Sequence, residues 1–357
     1  MIRRVTLVTP NFSSNSLGRT HVLWRLARLS GMEVVVASAG GGEIWAPLAE
    51  EELVADCVGV GEAGGAALLE KTIAGSDLVI AVKPVPASMG IVEPLARRLH
   101  KPLIVDIDDP DLPPLPFIRL AARQILKPRK YWADTKIRLA VDRYPHIVSN
   151  PVLQNWHGGM IIPHARSEEI QGEAHTRTAP VIAFVGTNHP HKGLPEVREA
   201  VRATQNLGTR LVVTDTAPDD ARVWEEWRGR TTFEEGRSIV NRSDVVLLPS
   251  HPDPWSEGQL PAKLIDAMMA GRAIAVTDVG PMRWALGDGG LIVPPRDIEA
   301  LVNVIKQFAS PEQRVHFGAR ARARAVSEFG EAVNAKRFVQ ICEDAVQRSA
   351  RAREGSR

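Results

Sequence analysis

Val245-Val246-Leu247-Leu248-Pro249-Ser250, then Leu260-Pro261-Ala262-Lys263-Leu264-Ile265-Asp266-Ala267-Met268-Met269-Ala270-Gly271, then Ala273-Ile274-Ala275-Val276-Thr277 succeed one another in the second half of this chain. The outer pieces are short apolar runs, as expected of strands buried on both faces. The middle piece opens on a proline and closes on a glycine, which marks a helix over 261–269. Strand, helix and strand in that order build a parallel sheet.

Working outward, the same alternation continues. Apolar runs at 181–185, 210–214 and 290–293 predict further strands of the second half, with helices over 194–207, 238–241 and 298–308. The first half repeats the scheme with strands at 5–9, 33–38, 78–82 and 103–106, a weaker one at 146–149, and a helix over 19–29. Each half reads as its own α/β sheet. The polar, aperiodic stretch 167–180 separates them as a linker. Domains are expected over 1–166 and 181–330, with a C-terminal helix and basic tail over 331–357 that can cross back to the first. A length of 357 residues suits two domains.

The fold class is therefore α/β, with two Rossmann-like parallel-sheet domains facing a cleft, where ligands meet the carboxyl ends of strands. A nicotinamide dehydrogenase would place G-x-G-x-x-G directly after a strand. Neither Gly40 to Gly42 nor Gly61 to Gly65 gives that spacing before a helix.

Composition narrows the class further. Hydrophobic residues make up 44% and charged ones 24%, and the formal net charge is only +2, so nucleic acid is not an expected partner. Cys57 and Cys342 lack metal-ligand spacing and are expected to be reduced thiols. The apolar run after Arg4 is too short for a signal segment, and no stretch of about 18 apolar residues occurs, so a cytoplasmic location is expected.

Four segments carry a family likeness: Val181–Gly186 with His191-Lys192-Gly193; Phe233 through Ser250; Leu260 through Gly271 with 273–277; and Gly289 through Asp297 with Glu299-Ala300-Leu301. In this order they resemble the retaining family-4 glycosyltransferases of the GT-B fold. The first half matches more loosely, through Asn15-Ser16-Leu17-Gly18, Ile147-Val148-Ser149-Asn150 and Met160-Ile161-Ile162-Pro163-His164. The resemblance implies transfer of a hexose from a UDP- or GDP-sugar to a glycan, lipid-linked or small-molecule acceptor, with no metal or other cofactor. A nucleotide-sugar epimerase of the same fold, or a silent scaffold, are the alternatives.

Breaking the anomeric bond leaves negative charge on a diphosphate, which cations and helix N-termini must stabilise. By resemblance Gly18 and Gly186 belong to loops approached by the donor, and Lys192 stabilises the leaving diphosphate. The family's loop arginine is absent, and Lys263 compensates. A cation in the first turn of a helix opposes the dipole unless an anion faces it. Asp266 corresponds to the acid that accepts the ribose hydroxyls. Counting back at the family's spacing lands on Gly258, with Glu257 one position earlier. Either Glu257 reaches the donor sugar through a bulge or the Gly258 backbone does. Asp108 stands where the family often has a histidine, as a base or an orienting group for the acceptor.

The segment from Leu115 to Pro145 holds eight basic residues against Asp134 and Asp142, interleaved with apolar ones. The rest of the chain is then net negative. A basic amphipathic patch of this kind suits the surface of an anionic membrane.

Overall fold

The computed structural model describes residues 2–38, 40–60, 65–112, 128–186 and 189–354, with backbone alone for 128–133. The chain divides into two compact units, Met1–Pro163 with Ala332–Arg357, and His164–Glu331.

The first unit is built on a parallel seven-stranded sheet ordered β3-β2-β1-β4-β5-β6-β7. Its strands are β1 (Arg4–Thr9), β2 (Glu33–Ser38), β3 (Cys57–Gly59), β4 (Leu78–Val82), β5 (Leu103–Ile107), β6 (His146–Val148) and β7 (Met160–Ile161). Helices α1 (Ser16–Leu29), α2 (Gly65–Ala74), α3 (Met89–Arg98), α4 (Pro128–Val141) and α5 (Pro151–His157) connect them. Strand β4 is apolar and buried throughout, and β1 and β5 are buried along nearly their whole length, carrying Thr6, Thr9 and Asp106 inside as buried polar residues.

The second unit repeats the topology with six parallel strands ordered β10-β9-β8-β11-β12-β13. These are β8 (Val181–Phe184), β9 (Arg210–Val213), β10 (Glu225–Trp227), β11 (Val245–Leu248), β12 (Ala273–Thr277) and β13 (Leu291–Val293). Its helices are α6 (Leu194–Ala203), α7 (Phe233–Arg242), α8 (Ala262–Met269), α9 (Met282–Leu286), α10 (Ile298–Gln307) and α11 (Pro311–Phe329). Alternation along the strands separates two cores. Ala183, Val246, Leu248, Ile274 and Val276 pack with α8 and α11 residues on one face. Ile182, Phe184, Leu247 and Ala275 pack with α6 and α10 on the other. A final helix, α12 (Glu331–Glu354), belongs to the first unit from Ala332 onward.

Two parallel-sheet α/β domains are thus present, as the sequence pattern predicted. In each the strand order reverses direction once, between β1 and β4 and between β8 and β11. Loops at such a switch point diverge and leave a crevice at the strands' carboxyl ends. Helix α7 starts earlier than the expected 238, because a capping box fixes its first turn. The Glu235 N–H donates to Thr232 Oγ1 at 3.1 Å, and the Thr232 N–H donates to the Glu235 carboxylate at 2.7 Å. Among the described residues no helix is long and apolar enough to cross a membrane.

Candidate functional site

The second unit's switch point is lined by the loops after β8 and β11. After β8 the chain turns at Gly186, whose φ is 105° and whose N–H donates to Thr214 Oγ1 at 2.7 Å. A short 3-10 turn, Pro190–Lys192, brings Lys192 to the N-terminus of α6. Gly193 joins them with φ 69°, and a Cβ there would lie 2.3 Å from the Pro249 carbonyl oxygen. Only glycine lets the two loops touch here.

Lys263 projects from the first turn of α8 toward this contact. Its Nζ is buried without a hydrogen-bond partner among the described residues, lies 4.8 Å from the Phe184 ring centre, and would stand 3.5 Å from a Cβ placed on Gly186. Burial, reinforced by the charge of Lys192, holds its pKa well below the usual lysine value. Lys192 is shifted down as well, again by burial, with Asp215 opposing. Lys192 and Lys263 thus stand close together at the N-termini of α6 and α8, and the buried Lys263 has no hydrogen-bond acceptor among the described residues, an arrangement suited to an anion.

Asp266 follows one turn later on the same helix face, 8% exposed. Its carboxylate is held by Arg166, with Nε to Oδ1 at 2.5 Å and Nη2 to Oδ2 at 3.4 Å. The loop between β11 and α8 is a fixed turn. Asp253 accepts the N–H groups of Trp255 at 2.7 Å and Ser256 at 2.8 Å, and these bonds hold its pKa down against burial. Gly280 lies so close that a Cβ would be 2.6 Å from the Ser256 carbonyl oxygen. Glu257 stands on this turn with its side chain exposed, while Gly258 is buried. Two histidines join this loop to the start of α6: His191 lies 3.7 Å from the loop's Asp253, and the loop's own His251 lies 2.8 Å from Glu196 of α6.

The first unit's expected residues sit at its own switch point. Gly18 is the third residue of α1, and a Cβ there would meet the Trp45 ring at 3.2 Å. Asp108, just past β5, pairs with Lys83 at 3.0 Å, and the same ammonium reaches Asp109 at 2.6 Å and Asp111 at 3.3 Å. Burial raises Asp111 to about 7, against the pull of Lys83. Asp106 takes a different partner, the buried Arg19, whose Nη2 donates to it at 2.6 Å, and burial raises it to about 6. No group of three or more His, Cys, Asp or Glu side chains among the described residues is arranged to hold a metal ion.

Sequence reasoning named Lys192, Lys263, Asp266, Glu257, Gly186 and Gly258, and all six lie on these loops or on α8. It missed Arg166, which it assigned to the end of the first domain, and Thr214, an ordinary strand-end threonine. Neither carries a local signal. The basic segment from Leu115 lies largely outside the described residues: 115–127 are not described, nor are the side chains of Arg129 and Lys130.

Residues 179–310 match the glycosyl transferases group 1 family model, so the chain carries a glycosyltransferase domain. No curated protein sequence matches the chain. Among solved structures it is similar to HepE of Anabaena in complex with UDP-glucose, at TM-score 0.72 and 12% identity over 96% of this chain and 99% of that one. A sucrose-phosphate synthase from Thermosynechococcus elongatus follows at TM-score 0.65, 14% identity, 96% and 98% coverage. WaaG, a glycosyltransferase involved in lipopolysaccharide biosynthesis, is similar at 0.61, 14%, 94% and 99%. At such identities the likeness establishes the GT-B fold.

Proposed function

We propose that this protein is a retaining, metal-independent hexosyltransferase that takes a UDP- or GDP-sugar as donor. The observation that carries this reading is the Lys263 ammonium, buried without a hydrogen-bond acceptor among the described residues, beside Lys192 at the β8–β11 switch point. A diphosphate would neutralise both lysines, and its charge grows as the anomeric C–O bond breaks. Cations fixed there before reaction stabilise the leaving group without reorganising. The bond from the anomeric carbon to the diphosphate breaks, and one to an acceptor oxygen forms on the same face. The acceptor's proton passes to the departing diphosphate.

In this reading Asp266 accepts the ribose hydroxyls, and Glu257 or the Gly258 backbone meets the sugar. Gly186 keeps the loop after β8 clear for the donor. The acceptor is a glycan or a lipid-linked sugar, and the basic segment 115–145 rests on an anionic bilayer from the cytoplasmic side. Salt-sensitive co-sedimentation with acidic but not neutral vesicles supports that placement, and equal binding to both removes it.

The donor assignment is tested with Lys192→Ala and Lys263→Ala. Removing one preorganised charge contact lowers turnover by roughly 10²–10³. Well-folded variants that hydrolyse or transfer donor at the wild-type rate would exclude these lysines from the site.

A further inference from the structure

The second unit begins at His164 and ends at Glu331, and its two end segments run side by side. The Arg166 N–H donates to the Phe329 carbonyl at 2.9 Å, and the Glu331 N–H donates to the Arg166 carbonyl at 3.0 Å. From this pinned backbone the Arg166 side chain turns inward. Its guanidinium lies 5.4 Å from the Phe233 ring centre, Nη1 donates to the Ala165 carbonyl at 3.0 Å, and the remaining fork grips Asp266. Arg166 is 7% exposed and Asp266 8%. A carboxylate gripped this way has lost its rotational freedom. An ionised carboxylate offers about four lone-pair sites, and the fork uses two of them. Two remain for a vicinal diol.

The geometry points to Arg166 as the positioning residue that aims Asp266 at the ribose of the donor nucleotide. This rests on the donor reading above. A purely structural ion pair would have the same distances, so the test must separate ribose recognition from stability. Lysine at 166 keeps the charge but not the planar fork. Alanine leaves a buried carboxylate unpaired and lowers stability, so Arg166→Lys is the main variant and thermal unfolding is followed in parallel.

The experiment is calorimetric titration of wild type, Arg166→Lys, Arg166→Ala and Asp266→Ala with UDP and GDP and with their 2′,3′-dideoxy counterparts. Wild type is expected to prefer the ribose forms by about ten- to hundred-fold, the worth of hydrogen bonds to a charged group. Arg166→Lys should lose most of that preference, as Asp266→Ala does, while binding of the dideoxy forms stays unchanged. An Arg166→Lys protein that keeps the full preference, weakens both forms equally, or binds the ribose form more tightly overturns the inference. Wild type that binds both forms equally overturns it too, but leaves the diphosphate site standing. Wild type that binds no nucleoside diphosphate overturns the donor reading itself.

Discussion

The Lys263 ammonium lies 4.8 Å from the centre of the Phe184 ring, buried and with no hydrogen-bond acceptor among the described residues. An isolated buried charge is unfavourable, so the free protein holds this lysine at a cost that a bound anion removes. Lys263→Met keeps an unbranched side chain, one atom shorter, and discards the charge. Without ligand it is expected to raise stability by about 1 kcal/mol or more, comparable with other replacements of buried charge by apolar groups. Nucleoside-diphosphate binding should fall in the same variant. A melting temperature that drops, with binding intact, would contradict this account of Lys263.

Proton linkage offers a second check. The folded pKa of Lys263 is below its ordinary value of 10.5, so between the two the unfolded chain holds a proton that the folded protein lacks. Stability of the free protein therefore rises with pH through that window and is lost as pH falls through the folded value. A diphosphate favours the charged form and raises the folded pKa, so binding at mildly alkaline pH takes up protons. Calorimetry in buffers of different ionisation enthalpy reads this uptake, which should shrink in Lys263→Met.

Gly193 is a third test, because it carries both a left-handed φ of 69° and a close approach to Pro249. Gly193→Ala is expected to destabilise the protein by more than about 1 kcal/mol, since alanine can satisfy neither demand. Chemical denaturation measures the loss. Donor affinity should fall too, because Lys192 precedes this residue directly.

In the first unit, the raised Asp111 gives a pH dependence of opposite sign. Its carboxyl goes from 3.8 to about 7 on folding, so the folded state holds a proton the unfolded state has released. The stabilisation is complete below about pH 4 and disappears as pH rises through about 7. Asp111→Asn should flatten the stability profile of the protein between about pH 4 and about pH 7, the range those two limits set. Denaturation curves across that range decide it.

Most of this was legible in the chain for a physical reason. Strands buried on both faces are predominantly apolar, so β4 and β11, apolar throughout, and β1 and β12, apolar but for threonines and the leading Arg4, announce themselves. Lys263 was visible because a cation in a helix's first turn opposes the dipole. Edge strands have no such requirement. Cys57-Val58-Gly59 and Glu225-Glu226-Trp227 each pair on one side only, and both escaped notice. Glu225 is held instead by the Arg198 fork at 2.8 and 3.0 Å, a contact 27 residues away in sequence. Arg166 was invisible for the same reason, since its partner is 100 residues distant. Local patterns reveal what a residue needs from its neighbours, and long-range pairs leave no such pattern.

The central claim is sugar transfer from a nucleotide donor, and its direct measurement is NMR of the products formed with UDP- and GDP-hexoses. Even without the acceptor, slow hydrolysis should release the nucleoside diphosphate and a hexose whose anomeric configuration is that of the donor. Lys263→Ala should suppress that release by roughly 10²–10³. No nucleoside diphosphate from any donor, together with no thermal stabilisation by any of them, would contradict the account.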